Sequence, residues 1–200
     1  MNFLAHIYLS GDDELLTIGN FVADGIRGHN YKIYPEKVQA GILLHRAIDT
    51  FTDAHPIFRQ STKRLHKNYS HYSGVIVDII YDHFLAKNWK EYSNIPLANY
   101  VDEFYNTLNK NFEILPKRFK HLTPIMIEGN WLLSYATVDG IQLVLNGMNN
   151  RTKGKSKMNE ATNELKEFYT EFEEEFTAFF KELQSFASTK RNDIEKQFKI

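Results

Sequence analysis

Between Val38 and Asp53 a histidine and two carboxylates recur every fourth residue, as His45, Asp49 and Asp53. A helix turns by about 100° per residue, so this spacing lines the three along one side, below Val38 and Ile42. Leu43, Leu44, Ala47 and Phe51 occupy much of the remaining circumference. A second run, Val75 to Leu85, sets Asp78 and Asp82 one turn apart among Val75, Ile76, Val77, Ile79, Ile80, Phe84 and Leu85. Helices apolar around most of their surface are expected inside the protein. Ionised carboxylates buried there without partners cost several kcal/mol, which proteins offset by pairing them or by coordinating a metal.

His6 and Asp24, each with apolar neighbours on both sides, extend the set. His83 points about 100° away from Asp82, so it would serve such a site from the flank, by orienting a ligand or handling a proton. Asp24, His45, Asp49, Asp78 and Asp82 are therefore the expected metal ligands, and His6, His83 and Asp53 the expected acid/base or neighbouring groups. Histidine and aspartate ligands with no cysteine favour Mn²⁺, Mg²⁺ or Fe²⁺ over structural zinc. The chemistry that follows is activation of water and stabilisation of charge on a phosphoryl oxygen. Plainer readings stand beside this one. A backbone carbonyl would satisfy His6, a turn before Gly25 would account for Asp24, and ion pairing with Arg46 would neutralise acids on the two helices.

The elements that must position these groups read as helices throughout. Pro35, Pro56, Pro96, Pro116 and Pro124 punctuate stretches of helical length and period, over roughly Leu15–Arg27, Glu36–Asp53, Ile57–Leu65, Ser73–Asn88, Leu97–Asn111, Pro124–Asn146 and Glu160–Phe186. Strands find little support, and the fold class is all-α, a single-domain helical bundle over 1–200. With 200 residues, 42% of them hydrophobic, the chain can bury one substantial core. Residues 149–159, polar and basic, read as a flexible connector to an amphipathic C-terminal helix, 160–187, which packs on the same domain or pairs two copies as a homodimer.

A formal charge of -1 gives no general attraction to nucleic acid or to an anionic membrane. Met1–Ser10 lacks the basic start of a signal peptide, and Val75–Leu85 is far short of the roughly 20 apolar residues that cross a bilayer. The expected partner list contains neither nucleic acid nor membrane. The lack of cysteine fits a cytoplasmic protein.

The segments NFLAHIYLSG, GNFVADGIRG, YPEKVQAGILLHRAIDTFTDAHP, DIIYDHFLAKNW, and NWLLSY with DGI together resemble the acyl carrier protein phosphodiesterase family over Asn2 to Arg151. The blocks HR-x-x-D-x-x-x-D-x-HP and D-x-x-x-DHFLA-x-x-W carry most of that resemblance. It implies hydrolysis of the phosphodiester joining 4'-phosphopantetheine to a serine of holo-acyl carrier protein, with Mn²⁺ as preferred metal. It also implies a helical fold distantly similar to HD-type metal phosphohydrolases. The chain has no His-Asp dipeptide, only Asp82-His83 in reverse order, so the HD ligand set cannot be laid onto it by motif.

An acidic carrier protein requires a locally basic docking face. Lys63, Arg64 and Lys67 are the expected one, ahead of Lys117, Arg118 and Lys120 and of the Arg151–Lys157 stretch. Two other functions fit the same residues: a metal phosphohydrolase acting on a nucleotide or another small phosphate ester, and a non-catalytic helical binding protein whose acids are only ion-paired.

Overall fold

A computed structural model describes residues Met1–Ile200. It contains helices and no strand, as the periodicity predicts. The α-helices are α1 (Phe3–Leu9), α2 (Glu14–Val22), α3 (Glu36–Ala54), α4 (Pro56–Tyr69), α5 (Ser73–Lys87), α6 (Leu97–Lys110), α7 (Lys117–Glu128), α8 (Trp131–Ser134), α9 (Val138–Arg151), α10 (Thr162–Glu167) and α11 (Tyr169–Phe198). No helix is long and apolar enough to cross a membrane.

Helix α5, apolar on nearly every side, is the centre of the bundle. Ile76, Val77, Ile80, Phe84 and Leu85 are all fully buried. Around it pack α1, α4, α9 and α11. The first helix starts at a buried acid: both Asp82 carboxylate oxygens accept backbone N–H groups, from Leu4 at 2.7 Å and from Ala5 at 3.2 Å. The first turn of any helix leaves its N–H groups unpaired and carries partial positive charge, so an anion there is favoured. Asp82 thus caps α1 from across the core.

Helices α2 and α3 touch through their backbones. A Cβ at Gly19 would lie 2.1 Å from the Val38 carbonyl oxygen, and one at Gly41 would lie 2.0 Å from that of Leu16. Only glycine permits this approach. Asp13 starts α2 by accepting from the Leu15 and Leu16 amides, each at 3.0 Å.

The structure redraws several expected boundaries. α1, at seven residues too short for a periodic signal, was not expected as a helix. The helix expected over Leu15–Arg27 stops at Val22 and continues as 3-10 turns. The one expected over Pro124–Asn146 is three: Pro124 lies inside α7, left-handed Asn130 (φ 43°) ends that stretch, and Thr137 restarts the chain by capping α9 through the Gly140 amide at 3.1 Å. Of residues 149–159, the first three close α9, 152–156 form hydrogen-bonded turns and a 3-10 turn begins at Met158, with Ser156 and Met158 buried.

The C-terminal helix runs on to Phe198, and its apolar face is spent within the chain. Phe172, Phe176, Phe179, Phe180 and Leu183 are fully buried, and Phe186 stacks on Phe51 of α3 at 4.4 Å. That face packs on α3, α4 and α5. A buried acid, Glu175, clamps it to α4. Arg64 donates two hydrogen bonds of 2.7 Å to Glu175, Gln60 donates one of 2.8 Å, Ser61 donates another, and the Arg64 guanidinium lies over the Phe172 ring. Burial alone would raise the Glu175 pKa, but the Arg64 and Ser61 hydrogen bonds hold it below the usual value.

Gly41→Ala forces a methyl group into the Leu16 carbonyl. The expected cost is about 1–3 kcal/mol, a fall in melting temperature of several degrees. Thermal denaturation followed by circular dichroism measures it, and an unchanged midpoint would show that the two helices have room to separate.

Candidate metal centre

Two helices deliver three candidate ligands. His6 comes from α1, and His45 and Asp49, one turn apart, from α3; one ligand atom from each lies within 4.8 Å of the others, a group able to hold a metal ion. The two imidazoles stack face to face, with centroids 3.9 Å apart. Both turn the same nitrogen toward Asp49: His6 Nε2 is 3.2 Å from its Oδ1 and His45 Nε2 is 3.0 Å from its Oδ2.

Helix α2 sets this orientation through one residue. Asn20 Nδ2 donates to the His6 carbonyl and to Ser10 Oγ, both at 2.9 Å, which fixes the amide so that Oδ1 accepts from His6 Nδ1 at 2.8 Å. The Asn20 backbone carbonyl accepts from His45 Nδ1, also at 2.8 Å. With both Nδ1 atoms protonated and engaged, each ring presents Nε2, and that is how proteins set the tautomer of a metal-binding histidine. Asn20 follows Gly19 and His45 lies one turn beyond Gly41, so the glycine contact between α2 and α3 gives the Asn20 carbonyl its reach.

Charge confirms the crowding. Burial and the neighbouring His45 push His6 down to about 4, so it is neutral, and its Nε2 is a buried lone pair without a hydrogen-bond donor. Burial disfavours charge on His45 as well, but hydrogen bonds to Asp24 and Asp49 outweigh it and raise its pKa to about 9. Burial likewise opposes charge on Asp49, yet the hydrogen bond from His45 holds that carboxyl far below the usual carboxylate range. An unsatisfied lone pair facing a carboxylate is what a cation would fill, and two histidines with one carboxylate suit Mn²⁺ or Fe²⁺.

The other expected residues separate. Asp24 Oδ1 lies 3.3 Å from His45 Nε2 and borders the same space. Asp78 lines it too, paired at 2.9 Å with the Met1 amino group, which also lies 3.9 Å from Asp49. Asp53 stands exposed on the same wall. Asp82, expected among the ligands, has both oxygens on the α1 backbone, and burial lifts its pKa to about 7. His83 is turned to the opposite side of α5: Nδ1 meets the Tyr135 carbonyl at 2.7 Å and Nε2 the Tyr169 hydroxyl at 2.8 Å. Of the expected docking residues, Arg64 is committed to Glu175, while Lys63 and Lys67 are exposed but do not border the site. The sequence reading missed Asn20, although an asparagine beside a glycine on an apolar helix was its visible trace.

The centre opens on a cavity of about 680 Å³. Asp24, His45, Asp49 and Asp78 line it together with Leu122, Trp131, Val144 and Met148, from α7 to α9. This size and mixture of apolar wall with a few convergent polar groups suits an organic ligand.

A family model described as acyl carrier protein phosphodiesterase matches residues 1–183. The chain belongs to this family. The match runs past Arg151, where the recognisable motif blocks end, and well into α11. Relatives named acyl carrier protein phosphodiesterase include that of Yersinia pestis, 33% identical over 152 residues, 76% of this chain and 79% of its own. That of Photorhabdus laumondii is 34% identical over 76% of this chain and 77% of its own, and that of Escherichia coli O9:H4 is 35% identical over 76% and 79%. No solved structure matches the chain.

Two measurements test the centre. Asn20→Ala frees both the His6 ring and the Ser10 hydroxyl, and loss of such a supporting hydrogen bond costs about 10–100-fold in metal affinity, read by calorimetric Mn²⁺ titration. Because His45 is protonated below about pH 9, a cation must displace that proton. Affinity should therefore climb by up to about tenfold per pH unit from 7 to about 9 and level off above. A flat profile would remove His45 Nε2 from the ligand set.

Proposed function

We propose that this protein is a metal-dependent phosphodiesterase that releases 4'-phosphopantetheine from holo-acyl carrier protein, with Mn²⁺ as the working cation. The observation that carries the reading is the stacked His6 and His45 pair aimed at Asp49 on the edge of the cavity, in a chain of this family. His6, His45 and Asp49 hold the cation, and Asp24 is near enough to join them. When bound, the cation supplies positive charge to a phosphoryl oxygen and lowers the pKa of a water molecule.

The chain's own groups do the rest. Asn20 keeps both Nε2 atoms pointed at the cation, and Asp82 holds the α1 helix that carries His6. The apolar wall of Leu122, Trp131, Val144 and Met148 receives the prosthetic arm and excludes water from it. The leaving group is a serine alkoxide, which needs a proton. Of the three side chains expected to move protons, Asp53 alone borders the cavity. It is assigned that role, while His6 serves as ligand and His83 braces α5 against Tyr135 and Tyr169.

Mass spectrometry of holo-carrier protein incubated with the enzyme and Mn²⁺ should show loss of the phosphopantetheine mass, and chelation should stop it. Asp49→Ala should abolish turnover together with metal binding. Asp53→Ala should lower kcat by roughly 10²–10⁴-fold with metal retained. An Asp49→Ala protein with full metal content and unchanged rate would overturn the assignment, and turnover of nucleotides but not of holo-carrier protein would replace the substrate.

A further inference from the structure

We infer that the carrier protein docks on the rim of the metal cavity formed by the start of α7 and the end of α9, through Arg118, Arg151 and the exposed Leu143, and not on α4. This rests on the functional reading above and adds the surface the partner uses.

The chemistry of the bond restricts the choice. In a serine phosphodiester the phosphorus is joined directly to the serine oxygen, one methylene from the partner's backbone. A protein that places this phosphorus beside His45 and Asp49 must rest on the edge of the cavity that contains them, while the arm on the other side of the phosphorus occupies the interior. Lys63 and Lys67 do not border that cavity, and Arg64 is taken by Glu175 and the Phe172 ring.

The rim has what α4 lacks. Arg118, in the first turn of α7, and Arg151, at the last residue of α9, both line the cavity and are exposed. Neither guanidinium forms an ion pair or hydrogen bond within the chain, although Asp24, Asp49, Asp53 and Asp78 line the same cavity and are paired with His45 or the Met1 amino group or stand exposed. Two unpaired cations on an open edge select an acidic surface. Leu143, 70% exposed, and Val75, 37% exposed, border the same cavity. A small diester would leave them bare, while a protein surface would cover them, giving the apolar centre and charged margin usual in protein interfaces. The occupant is therefore an acidic protein face presenting a serine phosphodiester.

Steady-state kinetics on holo-acyl carrier protein test this. Arg118→Glu combined with Arg151→Glu should raise KM by about tenfold or more at low salt, leave kcat within about twofold, and flatten the rise of KM with ionic strength seen for the wild type. Leu143→Asp should raise KM in the same way. Lys63→Glu with Lys67→Glu should leave KM unchanged. All substituted positions are exposed, and an unchanged melting temperature verifies folding. An unchanged KM in the rim variants, a loss confined to kcat, or an equal effect from the α4 pair would overturn the docking face while turnover by the wild type keeps the functional reading intact. A wild type that releases no phosphopantetheine would overturn that reading, and the docking face with it.

Discussion

The backbones of α2 and α3 lie against each other at Gly19 and Gly41, and the metal centre depends on the separation this sets. At that distance the Asn20 carbonyl reaches His45 Nδ1 and the Asn20 side chain reaches His6, so one residue orients two imidazoles from two other helices. With side chains between them, the helices would stand farther apart and the carbonyl would fall out of hydrogen-bond range. A ring free to rotate would then present either nitrogen. The stacked geometry at 3.9 Å thus originates in two residues that carry no functional group.

Buried acid is the second constraint, and the chain resolves it differently at each position. Asp49 has the His45 imidazole, Asp78 an amino group, Glu175 a guanidinium, and Asp82 two backbone N–H groups at the start of a helix. At the buried Asp82 and Glu175 an unpartnered ionised carboxylate would cost several kcal/mol, so those two pairings also determine which helix sits where. The partners of Asp82 and Glu175 are fully engaged and make these acids structural. Around Asp49 the balance is incomplete, because the His6 Nε2 lone pair faces the carboxylate with no proton between them. That imbalance leaves a group able to hold a cation.

The C-terminal helix gives the centre its support. Its phenylalanines close the core around α5, and Phe186 stacks on Phe51, in the same helix that carries His45 and Asp49. The family model matches through residue 183 and so takes in the part of α11 that carries these phenylalanines up to Phe180.

Helical class, the burial of α3 and α5, and the grouping of His45 with Asp49 were all legible in the sequence, because period and spacing along one helix are local properties. So was the family, from the blocks around His45 and Asp82. The partner of each acid was not legible. Asp78 and Asp82 share a helix and a spacing, yet one lines the cavity and the other caps α1, and only the packing of α1 against α5 decides between them. Arg64 looked as free as Lys63 until α11 folded back and put Glu175 beside it. His6 read as an acid/base or neighbouring group rather than as a ligand because α1 is too short to announce itself, and its alignment over His45 exists only after α2 has brought Asn20 to both rings. Local sequence determined which residues carry charge into the core; contacts between helices far apart in the chain decided which of those charges were left for a cation.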